Sequence, residues 1–266
     1  MGFLEKIVAA TRDSIAAPDY LSGMAPLPYG PHRSLRAAVT GAGDPGALLA
    51  EYKRRSPGAT TPDLGQGSVA EFAARMAPAP IAAYSCLAGR PEFHGAPTDV
   101  ADLAAHTDRP VLFKDFVIDP IQLEAASRAG ASAVLLIARL ETEGWLVTPL
   151  RMLATAAHAR GLEVLLEWHH RAELRRTEDV PADVYGVNVR DLDTLEIRRT
   201  VGEETIRAAG AFRPLLGLSG VQGPAEARRF WDAGVDGILV GSALARVTDP
   251  RTFLDGLRRP TAGAGR

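Results

Sequence analysis

The sequence predicts a single α/β domain, a (βα)8 TIM barrel with an extra N-terminal helix, and three observations carry that prediction. Short apolar runs alternate with segments of helical periodicity eight times along the chain. The length of 266 residues, with 46% of them hydrophobic, suits one such barrel. Between Val111 and Ile137 the chain reads VLFKDFVIDPIQLEAASRAGASAVLLI, a complete strand–helix–strand unit. Asp119 and Pro120 supply its helix cap and first helical residue, Gly130 its stop, and AVLLI is too short to be anything but a second buried strand. A doubly wound sheet is the alternative. It is disfavoured because no G-x-G-x-x-G or Walker-type loop follows any strand.

Taken in order, Phe3, Ile7, Val8 and Ile15 recur at helical spacing and predict a helix over Gly2 to Ala16. Pro18 to Pro31 reads as loop. The first strand is Leu48 to Lys53, and its alternation points Glu51 and Lys53 to one face. A helix over Val69 to Met76 leads to a strand at Ile81 to Ser85, then a loop through Phe93 and Gly95, then a helix over Val100 to His106. After the central unit come a helix from Pro149 to Arg160 stopped by Gly161, and a strand at Leu162 to Glu167. A short helix at Arg171 to Arg176, a strand at Val184 to Asn188 and a helix around Glu203 to Ala209 follow. Pro214 to Ser219 is the seventh strand, Pro224 to Ala233 a helix, Gly237 to Val240 the eighth strand, and Arg251 to Arg258 the closing helix. The barrel with its N-terminal extension is expected over 1–259, with 260–266 as a flexible tail.

Composition narrows the function. A formal charge of −2 and a pI near 6.3 give no reason to expect nucleic acid or an anionic membrane as partner. The lone cysteine, Cys86, excludes an internal disulfide, and no apolar stretch reaches membrane-spanning length. With no signal peptide visible, a cytoplasmic location is expected. Of 30 basic residues only Lys6, Lys53 and Lys114 are lysines, and two of these stand at strand ends. Arginine stays charged at any accessible pH, whereas a lysine amine can be tuned to trade protons.

The strand ends assemble a constellation: Glu51, Lys53, Lys114, Glu167, Asn188, Arg190 and Ser219. A barrel brings them to one mouth and so supplies carboxylates and amines for acid and base work. Each alone also has an ordinary reading: Glu167 as a surface carboxylate, Asn188 as a turn residue, Arg190 as the partner of Asp191 or Asp193. A second pairing, Ser219–Gly220 with Gly241–Ser242 after the last two strands, stands where barrels gather phosphate, because glycine lets backbone N–H groups close on an anion. Glycines merely making tight turns would look the same.

These motifs resemble the indole-3-glycerol phosphate synthase family. The likeness runs from FLEKIVAATR through LLAEYKRRSP, VLFKDFVIDPIQ, GLEVLLEWH and YGVNVRDLDTLEI to AGVDGILVGSAL. It implies a cofactor-free, metal-free carboxy-lyase of tryptophan biosynthesis that closes the indole ring of 1-(2-carboxyphenylamino)-1-deoxyribulose 5-phosphate with loss of carbon dioxide and water. Residue by residue, it implies Lys114 as the general acid and Glu167 as the base of the dehydration; a lysine in a cationic, half-buried mouth can have its pKa lowered enough to donate, which is the expectation for Lys114. Glu51 and Lys53 become a proton-handling pair, with Lys53 and Arg190 near the anthranilate carboxylate, and Asn188 and Ser219 position the substrate. Ser56, Gly220, Gly241 and Ser242 would hold the phosphate. Phe93, Phe116, Leu135 and Ile137 would pack the aromatic ring, though an ordinary core role fits them too. The expected partner is this small phosphosugar substrate, the expected state a monomer or weak homodimer.

Departures from the family pattern stand at Leu218, where a glutamate is usual, at Cys86 and Ala88 in the loop after the second strand, at Pro78-Ala79-Pro80 before it, and at Val189. Leu218 is expected to face the mouth and to join the ring pocket. Alternatives are therefore a paralogue acting on a substituted anthranilate in a secondary pathway, another phosphosugar isomerase or lyase on the same barrel, or a non-catalytic phosphosugar binder. Cys86 reads as a small buried residue, and His169 and His170 as loop residues.

Overall fold

A computed structural model describes residues 2–24, 33–43, 46–56 and 66–260. Eight parallel strands close on themselves in chain order. They are β1 (Ala47–Tyr52), β2 (Ala83–Leu87), β3 (Val111–Lys114), β4 (Ala133–Ile137), β5 (Glu163–Trp168), β6 (Val184–Asn188), β7 (Leu215–Leu218) and β8 (Gly237–Val240). Around and across the barrel lie α1 (Phe3–Ala16), α2 (Leu35–Gly41), α3 (Val69–Met76), α4 (Arg90–Phe93), α5 (Pro97–Ala105), α6 (Pro120–Arg128) and α7 (Ala138–Thr142). The remainder are α8 (Leu150–His158), α9 (Arg171–Thr177), α10 (Arg199–Ala208), α11 (Pro224–Ala233) and α12 (Pro250–Asp255). The chain is thus a TIM barrel with a helix ahead of its first strand. No helix among the described residues is long and apolar enough to cross a membrane.

Period-two alternation divides the apolar residues into two cores. Tyr52, Tyr84, Cys86, Phe113, Leu136, Leu166 and Trp168 face outward and pack against the helices. Leu49, Leu112, Leu135, Leu165, Leu216, Leu218 and Leu239 face inward and fill the barrel. Extending the inward series along each strand gives Glu51, Leu87, Lys114, Glu167 and Asn188, so the polar residues cap an apolar interior.

Two differences from the sequence reading have clear causes. The second strand runs from Ala83 rather than Ile81, because pairing with β3 aligns Tyr84 with Val111 and Leu87 with Lys114. That shift carries Leu87 to the mouth. The helices α2, α4 and α7 carry too few apolar repeats to be read from periodicity, and tertiary contacts supply what local signal lacks. Ser34 caps α2 by accepting from Ala37 N–H, and Glu163, at the start of β5, accepts from the Ser34 hydroxyl and from Arg36 N–H at 2.8 Å. Leu35 and Val39 then join the inward core from the amino-terminal end of the barrel. The expected tail beyond Pro260 and the 25–31 part of the expected loop lie outside the described residues, as do 57–65 between the first strand and its helix.

Candidate active site

At the carboxyl end of the strands a cavity of about 510 Å³ opens, and Glu51, Lys53, Lys114, Glu167, Asn188, Arg190 and Ser219 all line it. The centre is one carboxylate between two amines. Lys53 Nζ donates to Glu51 Oε1 at 2.9 Å, and Lys114 Nζ stands 3.0 Å from Oε2. Gln66 braces the end of β1 by accepting from Lys53 N–H and donating to Glu51 C=O, which fixes both side chains toward the axis. From β3, the Lys114 turn is tied to α6: Gln122 donates to Asp115 and to Phe116 C=O while accepting from Ile118 and Asp119 N–H.

Burial sets the electrostatics, because every charge here must find a partner or give it up. Burial alone would raise the Glu51 pKa, but Lys114 and Lys53 outweigh it and hold the acid down at about 2. Burial lowers Lys53 more than Glu51 restores it, with repulsion from Lys114 and Arg190 adding to the fall. Lys114 behaves in the opposite way. Glu51 and Glu167 together overcome its burial and raise its pKa, so it stays an ammonium. The expectation of a lowered Lys114 is corrected here: the amine that is pushed toward neutrality is Lys53, since one carboxylate serves both and only Lys114 also faces Glu167.

Glu167 is 1% exposed. Burial opposes its charge, yet His169, then Lys114 and Asn188, keep its pKa below the ordinary value. His169 Nε2 lies 3.2 Å from Glu167 Oε1 and its Nδ1 3.8 Å from Glu173 Oε2, all three side chains being buried. The sequence reading made His169 a loop residue. The signal available was only its position two residues past an inward glutamate, which the alternation of β5 makes inward as well.

Asn188 accepts from Arg190 N–H at 3.0 Å, so the turn role and the site role coincide. Arg190 pairs with neither Asp191 nor Asp193. Its guanidinium donates to Leu195 C=O at 2.7 Å, while Asp191 faces Arg198 and Asp193 faces Arg139. The loop after β6 thereby folds back, with Arg190 bridged to Ile197, and sets Leu192, Leu195 and Ile197 on the cavity wall. These were not foreseen, and neither was Phe3 of α1, which also lines the cavity.

Phe93, Phe116, Leu135 and Ile137 line the apolar side, the two phenylalanine rings stacked at 6.2 Å. Opposite them are Ser56, Gly220, Gly241, Ser242 and Arg246, with the Ser56 and Ser242 hydroxyls 3.3 Å apart. Ser219 and Gly220 both adopt positive φ, at 67° and 75°, a turn that only Gly220 enters without strain. Gly241 is required for another reason: a Cβ there would stand 2.5 Å from Glu51 Oε1 and 2.9 Å from Lys53 Nζ. No group of three or more His, Cys, Asp or Glu among the described residues is arranged to hold a metal ion.

A family model described as indole-3-glycerol phosphate synthase matches residues 4–257. The chain belongs to the indole-3-glycerol phosphate synthase family. Such synthases are carboxy-lyases of tryptophan biosynthesis. The chain is similar to the indole-3-glycerol phosphate synthase of Exiguobacterium sibiricum, 37% identical over 79% of each chain. It is likewise similar to indole-3-glycerol phosphate synthase 2 of Streptomyces coelicolor, 38% identical over 85% of each, and to the synthase of a Nocardioides species, 34% identical over 94% of this chain and 95% of that one. Among solved structures, an N-acetylmannosamine-6-phosphate 2-epimerase from Clostridium perfringens superposes with a TM-score of 0.61 at 13% identity, over 85% of this chain and 96% of that one. A thiamine phosphate pyrophosphorylase from Pyrococcus furiosus does so at 0.58 and 19%, over 80% and 94%. These two likenesses concern the barrel alone.

Against the synthase pattern, the departures fall mostly outside the cavity. Cys86 and Ala88 are buried in the outward core, as is Val189, so none of them shapes the ring pocket. Burial holds the Cys86 thiol well above its ordinary pKa. Leu218, expected in that pocket, is corrected too: it points inward but is 1% exposed and does not reach the cavity wall. It lies instead over Gly186, where a Cβ would come within 2.7 Å of its Cδ1.

Proposed function

We propose that the cavity performs the ring closure of 1-(2-carboxyphenylamino)-1-deoxyribulose 5-phosphate to indole-3-glycerol phosphate on the unsubstituted ring. The observation that supports it best is the Lys53–Glu51–Lys114 bridge beside Glu167, with an aromatic wall on one side and a serine–glycine cup on the other. The phosphate sits in the cup of Ser56, Gly220, Gly241 and Ser242, near Arg246. The ring lies against Phe93 and Phe116, and the substrate carboxylate faces Lys53 and Arg190.

As the ring carbon attacks the ketone, charge develops on oxygen, and the Lys114 ammonium is the donor held in its protonated form to meet it. The carboxylate then leaves as carbon dioxide and its bonding pair restores the aromatic ring. The new hydroxyl departs as water with a proton from an ammonium, and Glu167 takes the proton that the new double bond displaces. Departures at Cys86 and Ala88 lend no support to a substituted ring, since both side chains lie behind the wall.

Lys114→Arg is the test, because it keeps the charge and removes the titratable donor. Indole fluorescence on the unsubstituted substrate should report a kcat lower by roughly a hundredfold or more, with KM changed far less. A variant within a few-fold of the parent would reduce Lys114 to a counter-ion. A parent protein inert on this substrate would overturn the reading itself.

A further inference from the structure

Behind the β5–β6 edge lies a second cavity of about 210 Å³, reached by His169, Glu173, Asn188 and Arg190 but not by Glu167. His169 is thus the side chain between a buried carboxylate in one cavity and a polar compartment in the other. Its Nε2 is 3.2 Å from Glu167 Oε1, off the direction of a linear hydrogen bond, and its Nδ1 faces Glu173 Oε2 at 3.8 Å. Glu173 is itself fixed in the first turn of α9, where its Oε2 accepts from His169 N–H at 2.7 Å. Glu167 Oε2 is buried without a hydrogen-bond partner among the described residues, and the imidazole beside Oε1 is the one basic side chain among them within 4 Å of this carboxylate.

We propose that His169 is a positioning residue for the dehydration step: an imidazolium clamped between Glu167 and Glu173 that holds Glu167 ionised and fixes its carboxylate in place. This rests on the reading of Glu167 as the base. The physical need is plain, because a carboxylate that is 1% exposed would otherwise take up a proton and lose its basicity. Lys114 helps from the β3 side but shares its charge with Glu51. Burial works against charge on the imidazole, yet Glu167 and Glu173 prevail and bring its pKa up to about 9. The other charged or titratable side chains around the second cavity are Arg139 of α7, Glu143 just past its end, His170, and Arg190, Asp191 and Arg198 from the loop after β6. Arg139 is taken by Asp193 and Glu143, and Arg198 by Asp191, which leaves Glu167 and Glu173 as the carboxylates facing His169.

The test uses single-turnover rates of the full chain across pH, so that product release does not mask the chemistry. In His169→Gln the acid limb of the rate–pH profile should move up by about one unit or more, with a tenfold loss per unit below it and little change in KM. Glu173→Gln should move the limb the same way by less, and serves if His169→Gln fails to fold. Nitrogen-15 shifts of His169 in the parent should be those of an imidazolium through neutral pH. Profiles of both variants superimposing on the parent, or a neutral imidazole at pH 7, would overturn the proposal. Glu167→Gln separates the two layers: full turnover in that variant sinks the base assignment, whereas loss there with unchanged His169→Gln profiles sinks the clamp alone.

Discussion

A residue's chemistry in this molecule is set by how many partners share it. Glu51 is 3% exposed and bridges two amines, so Glu51→Gln would leave Lys53 buried without a counter-ion and Lys114 with Glu167 alone. Breaking a buried pair in this way costs about 3 kcal/mol, and denaturant titration at neutral pH should find a loss of that order. The pH dependence has a definite sign. Glu51 is depressed from 4.5 to about 2 on folding, so the stabilisation is complete above pH 4.5 and fades as the pH falls from there toward 2. The gap between parent and variant should therefore narrow on acidification, and a gap that widened would contradict the bridge. Much of this was legible, since three lysines among 30 basic residues single out two strand ends. What was hidden is which lysine is pushed which way. Sequence places Lys53 and Lys114 on the same face, but only the fold gives Lys114 a second carboxylate, Glu167.

Strands were easier to read than the segments between them. Alternation put Glu51 and Lys53 on one face of β1, and the apolar runs of β3, β5 and β6 marked strand ends, and hence Lys114, Glu167 and Asn188. Neither signal could name Leu192, Leu195, Ile197 or Phe3, because a loop folding back and a helix laid over the mouth leave no periodic trace. Leu218 marks the other limit of the method: the pattern gave its direction and not its depth. Its seat over Gly186 makes a prediction about the β6–β7 pair. Gly186→Ala should destabilise the protein by about 1–3 kcal/mol, because the new methyl group strikes Leu218. In a double-mutant cycle with Leu218→Ala the combined loss should fall short of the sum, since truncating the leucine makes room. Additive losses would place the strain elsewhere.

Over the whole molecule, chemistry and closure occupy opposite ends of the same strands. The carboxyl ends carry the ionic cluster, while at the amino ends Leu35 and Val39 of α2 pack into the barrel, their helix held by Ser34 and Arg36 on Glu163. Removing that anchor in Glu163→Ala should cost about 1 kcal/mol, the usual worth of a helix cap, and leave kcat within about twofold of the parent. Equal melting temperatures for the two proteins would show that α2 needs no such tie.

The carboxylate between two amines has one more consequence, for anyone who follows this site by spectroscopy. Two amines held at 2.9 and 3.0 Å on the two oxygens of one carboxylate do not gain and lose protons independently of it or of each other. A titration curve recorded on Lys53 will bend where Lys114 changes state, and the inflections will be properties of the trio and not of any member. Replacing one lysine will then displace the curve of the other, so that a shifted midpoint in a variant measures the coupling across Glu51 and assigns no proton to a single residue.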